Sequence, residues 1–350
     1  MADHAVTLQA GVGVRHLRDR LLPYLIAVAA AFAVVGVVIG AMGFNVPRAF
    51  TNILFTSFRS PNGLAQTLSK FVPLLLQALA FTLPLAAGKF NIGGEGQLIV
   101  GGTAAAAVGI LFPDLPQPVL LPLALLAGMI AGALWMLGPA WLLYRFRINE
   151  ILNTVLMNFV AFELINFAST EIWPDPAAGH PTTVPIGAGA HMPMLLQQPP
   201  LHSGLLLALL IAAGAYFFMG RTTFGYELVV TGANPLAARV HGINVRALFF
   251  ASLLVGGVLA GLSGAIEVTG NYHRLIEGLQ SNFLLLGIII GLIARGNHLA
   301  LPFVAFFIAV LDVGASALQR TLAIPSEMVF IVMGLILIFV LLSDVIQRRR

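Results

Sequence analysis

Along most of this chain, polar positions come in short clusters separated by long apolar runs. A helix needs about 20 apolar residues to cross the hydrocarbon core of a bilayer. Runs near that length predict about ten crossings, at residues 21–43, 64–88, 91–112, 117–143, 149–169, 202–219, 247–268, 282–295, 299–318 and 325–343. The run at 282–295 is short for a crossing. The stretch 47–62, which carries Arg48 and Arg59, reads as an interfacial helix. Arg15, Arg18 and Arg20 precede the first run as they would in a signal peptide. That run exceeds the roughly 7–15 residues of a signal core, so a retained first span is expected. The fold class is therefore all-α, a polytopic transmembrane helical bundle. Residues 1–20 form an N-terminal segment, 21–343 the membrane domain and 344–350 a basic tail.

Composition sharpens this reading. Charged residues make up 9% of the chain and apolar residues 59%, against roughly 25% and 45–50% in soluble domains. A water-soluble fold cannot hide that much apolar surface. A soluble enzyme and a disordered chain are excluded. The net charge of +4 does not indicate nucleic acid, because the basic residues are scattered and not interleaved with stacking aromatics. With no cysteine, disulfides, thiolate metal sites and cysteine nucleophiles are also out.

The basic residues set an orientation. With both termini cytoplasmic, the inner segments hold Arg15, Arg18, Arg20, Lys89, Arg145, Arg147, Arg221, Arg239, Arg246, Arg295 and Arg348 to Arg350. The outer segments hold only Arg48, Arg59, Arg274 and Arg320, and Lys70 falls inside the second span. That asymmetry obeys the positive-inside rule. The long outer loop 170–200 has Glu171 and Asp175 but no Lys or Arg.

Several chemistries lack their residues. The only Gly-Lys, Gly88-Lys89, is followed by Phe90 and has Leu83 where a P-loop needs its first glycine. There is no HExxH, and Gly261 to Ala265 fails GxSxG at its last position. No catalytic constellation is expected.

Four features could carry function. In the inner segment 220–246, Asn234 suits an N-cap, Pro235 the first helical position and Gly242 the left-handed position after the last turn. A short helix is expected there, either as an ordinary loop element or as a docking helix for a cytoplasmic partner. Next, Phe90-Asn91-Ile92-Gly93-Gly94-Glu95-Gly96-Gln97 interrupts helical continuity at the start of the third run. It reads as a broken helix lining a pathway, or as a tight turn with Glu95 near a helix N-terminus. The fifth run carries Asn149, Glu150, Asn153, Thr154, Asn158, Glu163 and Asn166. Asn149, Asn153 and Glu163 fall within about 80° of one another on a helix, as interhelical glue or as a pathway lining. Glu267 and Asp312 are intramembrane carboxylates with no obvious basic partner at their depth, and Asp312 could bond Ser316 one turn on. Small residues (Gly101 to Gly109, Gly257 with Gly261, Gly287 with Gly291) point to close helix packing.

The stretch Gly88 to Gln97 resembles the signature of permease subunits of bacterial ATP-binding-cassette importers. The subfamily it is similar to handles purine nucleosides and simple sugars, within the wider branched-chain amino acid permease group. Asn149 to Thr154 agrees, as do Phe224-Gly225-Tyr226-Glu227 through Gly232, Asn234, Pro235, Ala237 and Ala238 to Gly242-Ile243, and residues 287–342 with Pro325-Ser326-Glu327. Val229 stands where such permeases usually carry an arginine.

The resemblance implies a type II-like importer permease in the bacterial inner membrane. Its partners would be a cytoplasmic ATPase that binds ATP and Mg2+, a second homologous permease or a copy of itself, and an external substrate-binding lipoprotein. The chain itself would bind no cofactor. Gly232, Asn234, Pro235, Leu236, Ala237, Ala238, Val240 and Gly242 would form the coupling helix. Phe90, Asn91, Glu95, Gln97, Asn149, Asn153 and Asn158 are the candidate pathway residues. A nucleoside is the expected solute. The alternatives are a simple sugar, riboflavin or a branched-chain amino acid, and a proton- or sodium-driven carrier using Glu163, Glu267 or Asp312.

Overall fold

The structure is a computed structural model that describes residues 26, 28–322, 330, 331, 334–339 and 342. The expected N-terminal segment, the basic tail and most of the tenth span lie outside these residues. Two compact units are present: residues 57–309, and residues up to 56 together with those from 310.

In the smaller unit, α1 (Val28–Ala41) is followed by α2 (Val46–Arg59). The rings of Phe32 and Phe50 meet edge-on at 5.6 Å. The side-chain amide of Asn52 donates to the Thr321 hydroxyl at 3.0 Å, tying α2 to the end of α12 (Leu301–Leu322).

The larger unit holds α3 (Pro61–Ala86), α4 (Gly94–Leu111), α5 (Gln117–Phe146), α6 (Glu150–Phe167), α7 (Gly204–Arg221), α10 (Val245–Ile266) and α11 (Phe283–Ile293). Short helices α8 (Thr223–Ala233) and α9 (Pro235–Val240) join α7 to α10. Single π-turns extend α6 to Ile172 and α10 to Tyr272. Caps fix several starts. Ser60 accepts from the Gly63 amide at 3.1 Å and precedes Pro61, and Asn149 accepts from the Ile151 amide at 2.8 Å.

Among the described residues, seven helices are long and apolar enough to cross a membrane. They match seven of the ten runs. α11, at 11 residues, is as short as the run at 282–295 implied, and α1 is described from Val28, the start of the first run lying outside the described residues. Ahead of α11, residues 273–282 descend into the bundle as turns, with Leu275 and Leu279 fully buried.

Glycine sets the spacing of the central helices. A methyl group on Gly261 of α10 would collide with the backbone of Gly128 and would lie 2.9 Å from Gly132 Cα, both on α5. Gly101 of α4 abuts Gly261 in the same way. Helices α4, α5 and α10 therefore touch backbone to backbone, the arrangement small residues permit in lipid, where apolar burial alone does not drive association.

The two ends of this unit differ in charge. One carries Lys89, Arg145, Arg147, Arg221, Arg239, Arg246 and Arg295. At the other, residues 173–203 fold into an ordered loop with a two-stranded ribbon, β1 (Met194–Leu196) and β2 (Leu201–His202). Arg274 at that end is paired with Asp175 at 2.9 Å.

Candidate functional site: a re-entrant segment, a polar core and an exposed helix

Between α3 and α4 the chain turns back into the bundle without forming helix. The side-chain amide of Gln77 donates to the Gly94 carbonyl at 3.2 Å. Gln77 lies nine residues before the end of α3, about 14 Å at 1.5 Å per residue. Helix α4 thus begins well below the basic end, and residues 87–93 cover that depth as a turn and non-helical chain. Non-helical backbone survives at such depth only where protein covers it and meets its polar groups.

The asparagines and glutamines supply that cover. Asn91 and Gln97 exchange two side-chain hydrogen bonds, each 2.9 Å. Asn91 Oδ1 accepts from the Gly93 amide at 3.1 Å. Asn158 of α6 accepts from the Gly96 amide and donates to the Ile92 carbonyl, both at 2.9 Å. Asn153 donates to the Pro139 carbonyl at 3.3 Å. Asn91, Gln97, Asn153 and Asn158 are all buried and spend their amides on this network. Glu95 is half-buried in the first turn of α4, where a negative charge is favoured. Phe90 is exposed, and Asn149 is the exposed cap of α6. The sequence reading passed over Gln77; its signal was a single amide inside an otherwise apolar stretch of α3.

A second non-helical entry comes from the opposite end. The ammonium of Lys70 lies 4.9 Å from the centroid of Phe283, the first residue of α11. Lys70 is nine residues into α3, again about 14 Å. Gly94 and Leu284 touch, so the starts of α4 and α11 meet inside the bundle. Lys70 also interacts electrostatically with Glu267, which corrects the expectation that no basic group shares its depth. Glu267 further accepts from Asn271 at 2.8 Å. The Ser316 hydroxyl bonds the main-chain carbonyl of Asp312 and not its carboxylate.

At the basic end, Asn234 caps α9 by accepting from the Leu236 and Ala237 amides, both at 3.1 Å. Gly242 has φ +81°, and the Ile243 amide closes onto the Ala238 carbonyl at 3.1 Å. Leu236 is 72% exposed and Val240 80%. Ala238, expected in the coupling helix, is fully buried and faces inward. It lies a quarter turn or so from Ala237, on the side that packs inward. Gly232 also faces inward: a methyl there would strike the Ala86 backbone. Gly88, at φ +74°, lies against Gly232. Next to it, Lys89 pairs with Glu150 at 3.2 Å and sits 4.7 Å over the Phe249 ring. The three sequence stretches singled out above therefore meet at one place, around Gly88 and Lys89.

At the loop end, His191 and His273 stack with ring centroids 3.9 Å apart. His202 is buried, its ring wedged against Gly204 and Gly270. Burial pushes its pKa down to about 4; the Asn271 side chain opposes this and the neighbouring His273 adds to it. Burial, and then His191, lower His273 as well.

A helical bundle with two re-entrant segments and a small exposed helix at its basic end defines a membrane transport permease. The chain belongs to the permease-component family of the branched-chain amino acid transport system, whose model matches residues 63–341. It is 33% identical to the glucose ABC transporter permease protein TsgB13 of Haloferax volcanii, over 93% of this chain and 88% of that one. It is 31% identical to the guanosine ABC transporter permease protein NupP of Bacillus subtilis, over 95% and 96%. With the nucleoside ABC transporter permease protein NupB of Lactococcus lactis it shares 26% over 94% and 93%. The protein is a permease subunit of an ATP-binding-cassette transporter, a multi-pass protein of the cytoplasmic membrane.

Proposed function

We propose that this chain forms the translocation pathway of an ATP-driven nucleoside importer, with its basic end in the cytoplasm and ATP and Mg2+ bound only by a separate ATPase subunit. The observation that carries the reading is the junction of Gly88 with Gly232. It joins the α8–α9 segment, with the exposed Leu236 and Val240, to the re-entrant segment that carries the Asn91–Gln97 network. An apolar pad of Ala87, Leu228 and Leu248 backs this junction. Two N-termini meeting inside the bundle, each reached through non-helical backbone, are the arrangement transporters use near the membrane midplane.

The face of α6 that carries Glu163, Asn166 and Thr170 is exposed. A carboxylate turned to lipid near the middle of a span costs on the order of 2.5–3.5 kcal/mol. That face is therefore assigned to a second permease subunit and the water-filled path between the two. The buried asparagines become the frame of the pathway, and Glu95, Phe90 and the Glu163 face its lining. Guanosine and nucleoside permeases among the relatives favour a nucleoside as solute. The glucose permease relative, at 33% identity, favours a simple sugar as the second reading.

Tagging the chain, extracting it gently and identifying what co-purifies tests the assembly. An ATPase, a second permease chain and a lipoprotein are expected. Titrating guanosine and glucose into that lipoprotein then separates the two solutes. A chain that purifies alone in every mild detergent would overturn the proposal.

A further inference from the structure

A cavity of about 530 Å3 opens at the basic end between α5 and α10. Its mouth is ringed by Lys89, Arg147, Arg239 and Arg246, with Glu150 the one carboxylate. Lys89 takes up Glu150 at 3.2 Å. The three arginines pair with no carboxylate among the described residues. Arg246 lies 5.9 Å from the Tyr144 ring, which holds its guanidinium beside the opening. Below the mouth the walls turn apolar: Ala140 and Leu143 from α5 face Phe250 and Leu253 from α10. Ala140 and Leu253 are backed by Met136.

Three unpaired guanidinium groups around one opening repel each other until an anion enters, and their forked donors match phosphate oxygens. An uncharged solute would gain nothing from them. A soluble anion, or an acidic side chain of a docked protein, would meet the arginines but leave the apolar floor wet. A ligand with a phosphate head and a hydrocarbon tail satisfies both parts, and the cavity is lined by the basic ends of two apolar helices, α5 and α10. We propose that it seats the headgroup of an anionic phospholipid of the cytoplasmic leaflet, with Arg147, Arg239 and Arg246 on the phosphate and an acyl chain against Leu143 and Leu253. Because Arg239 belongs to α9, the bound lipid also ties the exposed helix to α5 and α10. The leaflet follows from the orientation proposed above; the binding chemistry does not.

The full chain, purified with its co-purifying subunits, is exchanged into nanodiscs of phosphatidylcholine containing graded amounts of phosphatidylglycerol. Lipid retained after transfer to detergent is counted by native mass spectrometry. The wild type is expected to keep one phosphatidylglycerol per chain and to show no preference for phosphatidylcholine. Arg147→Gln with Arg246→Gln should weaken retention about 30-fold, at roughly fivefold per basic group. Arg147→Lys with Arg246→Lys, which keeps the charge, should recover most of it; that recovery separates lost binding from misfolding. Glycerol 1-phosphate at millimolar concentration should not displace the lipid. Equal retention by the wild type and the glutamine variant would overturn the proposal. So would displacement by glycerol 1-phosphate, which would make the ligand a soluble phosphate, or loss of the lipid whenever the ATPase is bound, which would give the cavity to that protein. Co-purification of the ATPase is read from the same samples, so failure of the importer assignment would be seen separately.

Discussion

Asn91 and Gln97 form a closed pair, and each is buried where no water replaces a lost partner. Gln97→Leu removes both bonds between the two side chains, leaving Asn91 only the Gly93 amide and, at 3.4 Å, the Ala80 carbonyl, and should lower stability by about 1–3 kcal/mol, read as a fall in melting temperature in detergent. Phe90→Ala, at an exposed position, should cost far less. The sequence marked these polar residues as anomalies in apolar runs, but not which of two roles they take. Whether an asparagine lines a cavity or bonds a neighbouring helix depends on partners such as the Ile92 and Pro139 carbonyls, and one residue's identity does not encode those. His202 gives a second test at this scale. Its pKa falls from 6.5 to about 4 on folding, so the unfolded state binds a proton first as pH drops. Its contribution is present above pH 6.5 and is lost between pH 6.5 and 4, reaching roughly 2 kcal/mol by pH 4.5. His273, also lowered, acts in the same direction. Hydrogen exchange in the 173–203 loop should rise over that window in the wild type and change less in His202→Gln.

Among the elements, α9 separates two kinds of substitution. Leu236→Asp places a charge on the exposed face and should abolish ATP-driven transport while the melting temperature stays within a degree or two. Ala238→Glu forces a charge into a buried site and should lower stability and expression together. Equal folding defects in both variants would contradict the assignment of the outward face. The helix itself was legible, because Asn234, Pro235 and Gly242 are local signals for its start and stop. Its inward face was not: Ala237 and Ala238 are chemically identical, and only packing against the neighbouring helices tells them apart. The same limit hid the buried turns of residues 273–282, which precede α11 and lie outside the short run at 282–295.

For the whole molecule, the close contact of α4, α5 and α10 depends on glycine at positions that touch backbone. Gly261→Leu should prevent this packing and yield little folded protein, whereas Gly214→Leu, with nothing near it, should be tolerated in a lipid-facing helix. The long apolar runs made this bundle readable from the sequence. The break at Phe90 to Gln97 was legible as an interruption of helix, but how deep it enters the bundle became visible only through contacts between distant residues, Gln77 with Gly94 and Gly88 with Gly232. The most direct test of the central claim is uptake of labelled guanosine into proteoliposomes holding the purified complex and its binding lipoprotein, with ATP supplied on the ATPase side. The account predicts accumulation that requires ATP, is lost in Leu236→Asp and is indifferent to a proton or sodium gradient. Uptake driven by such a gradient without ATP, or persisting unchanged in Leu236→Asp, would contradict it.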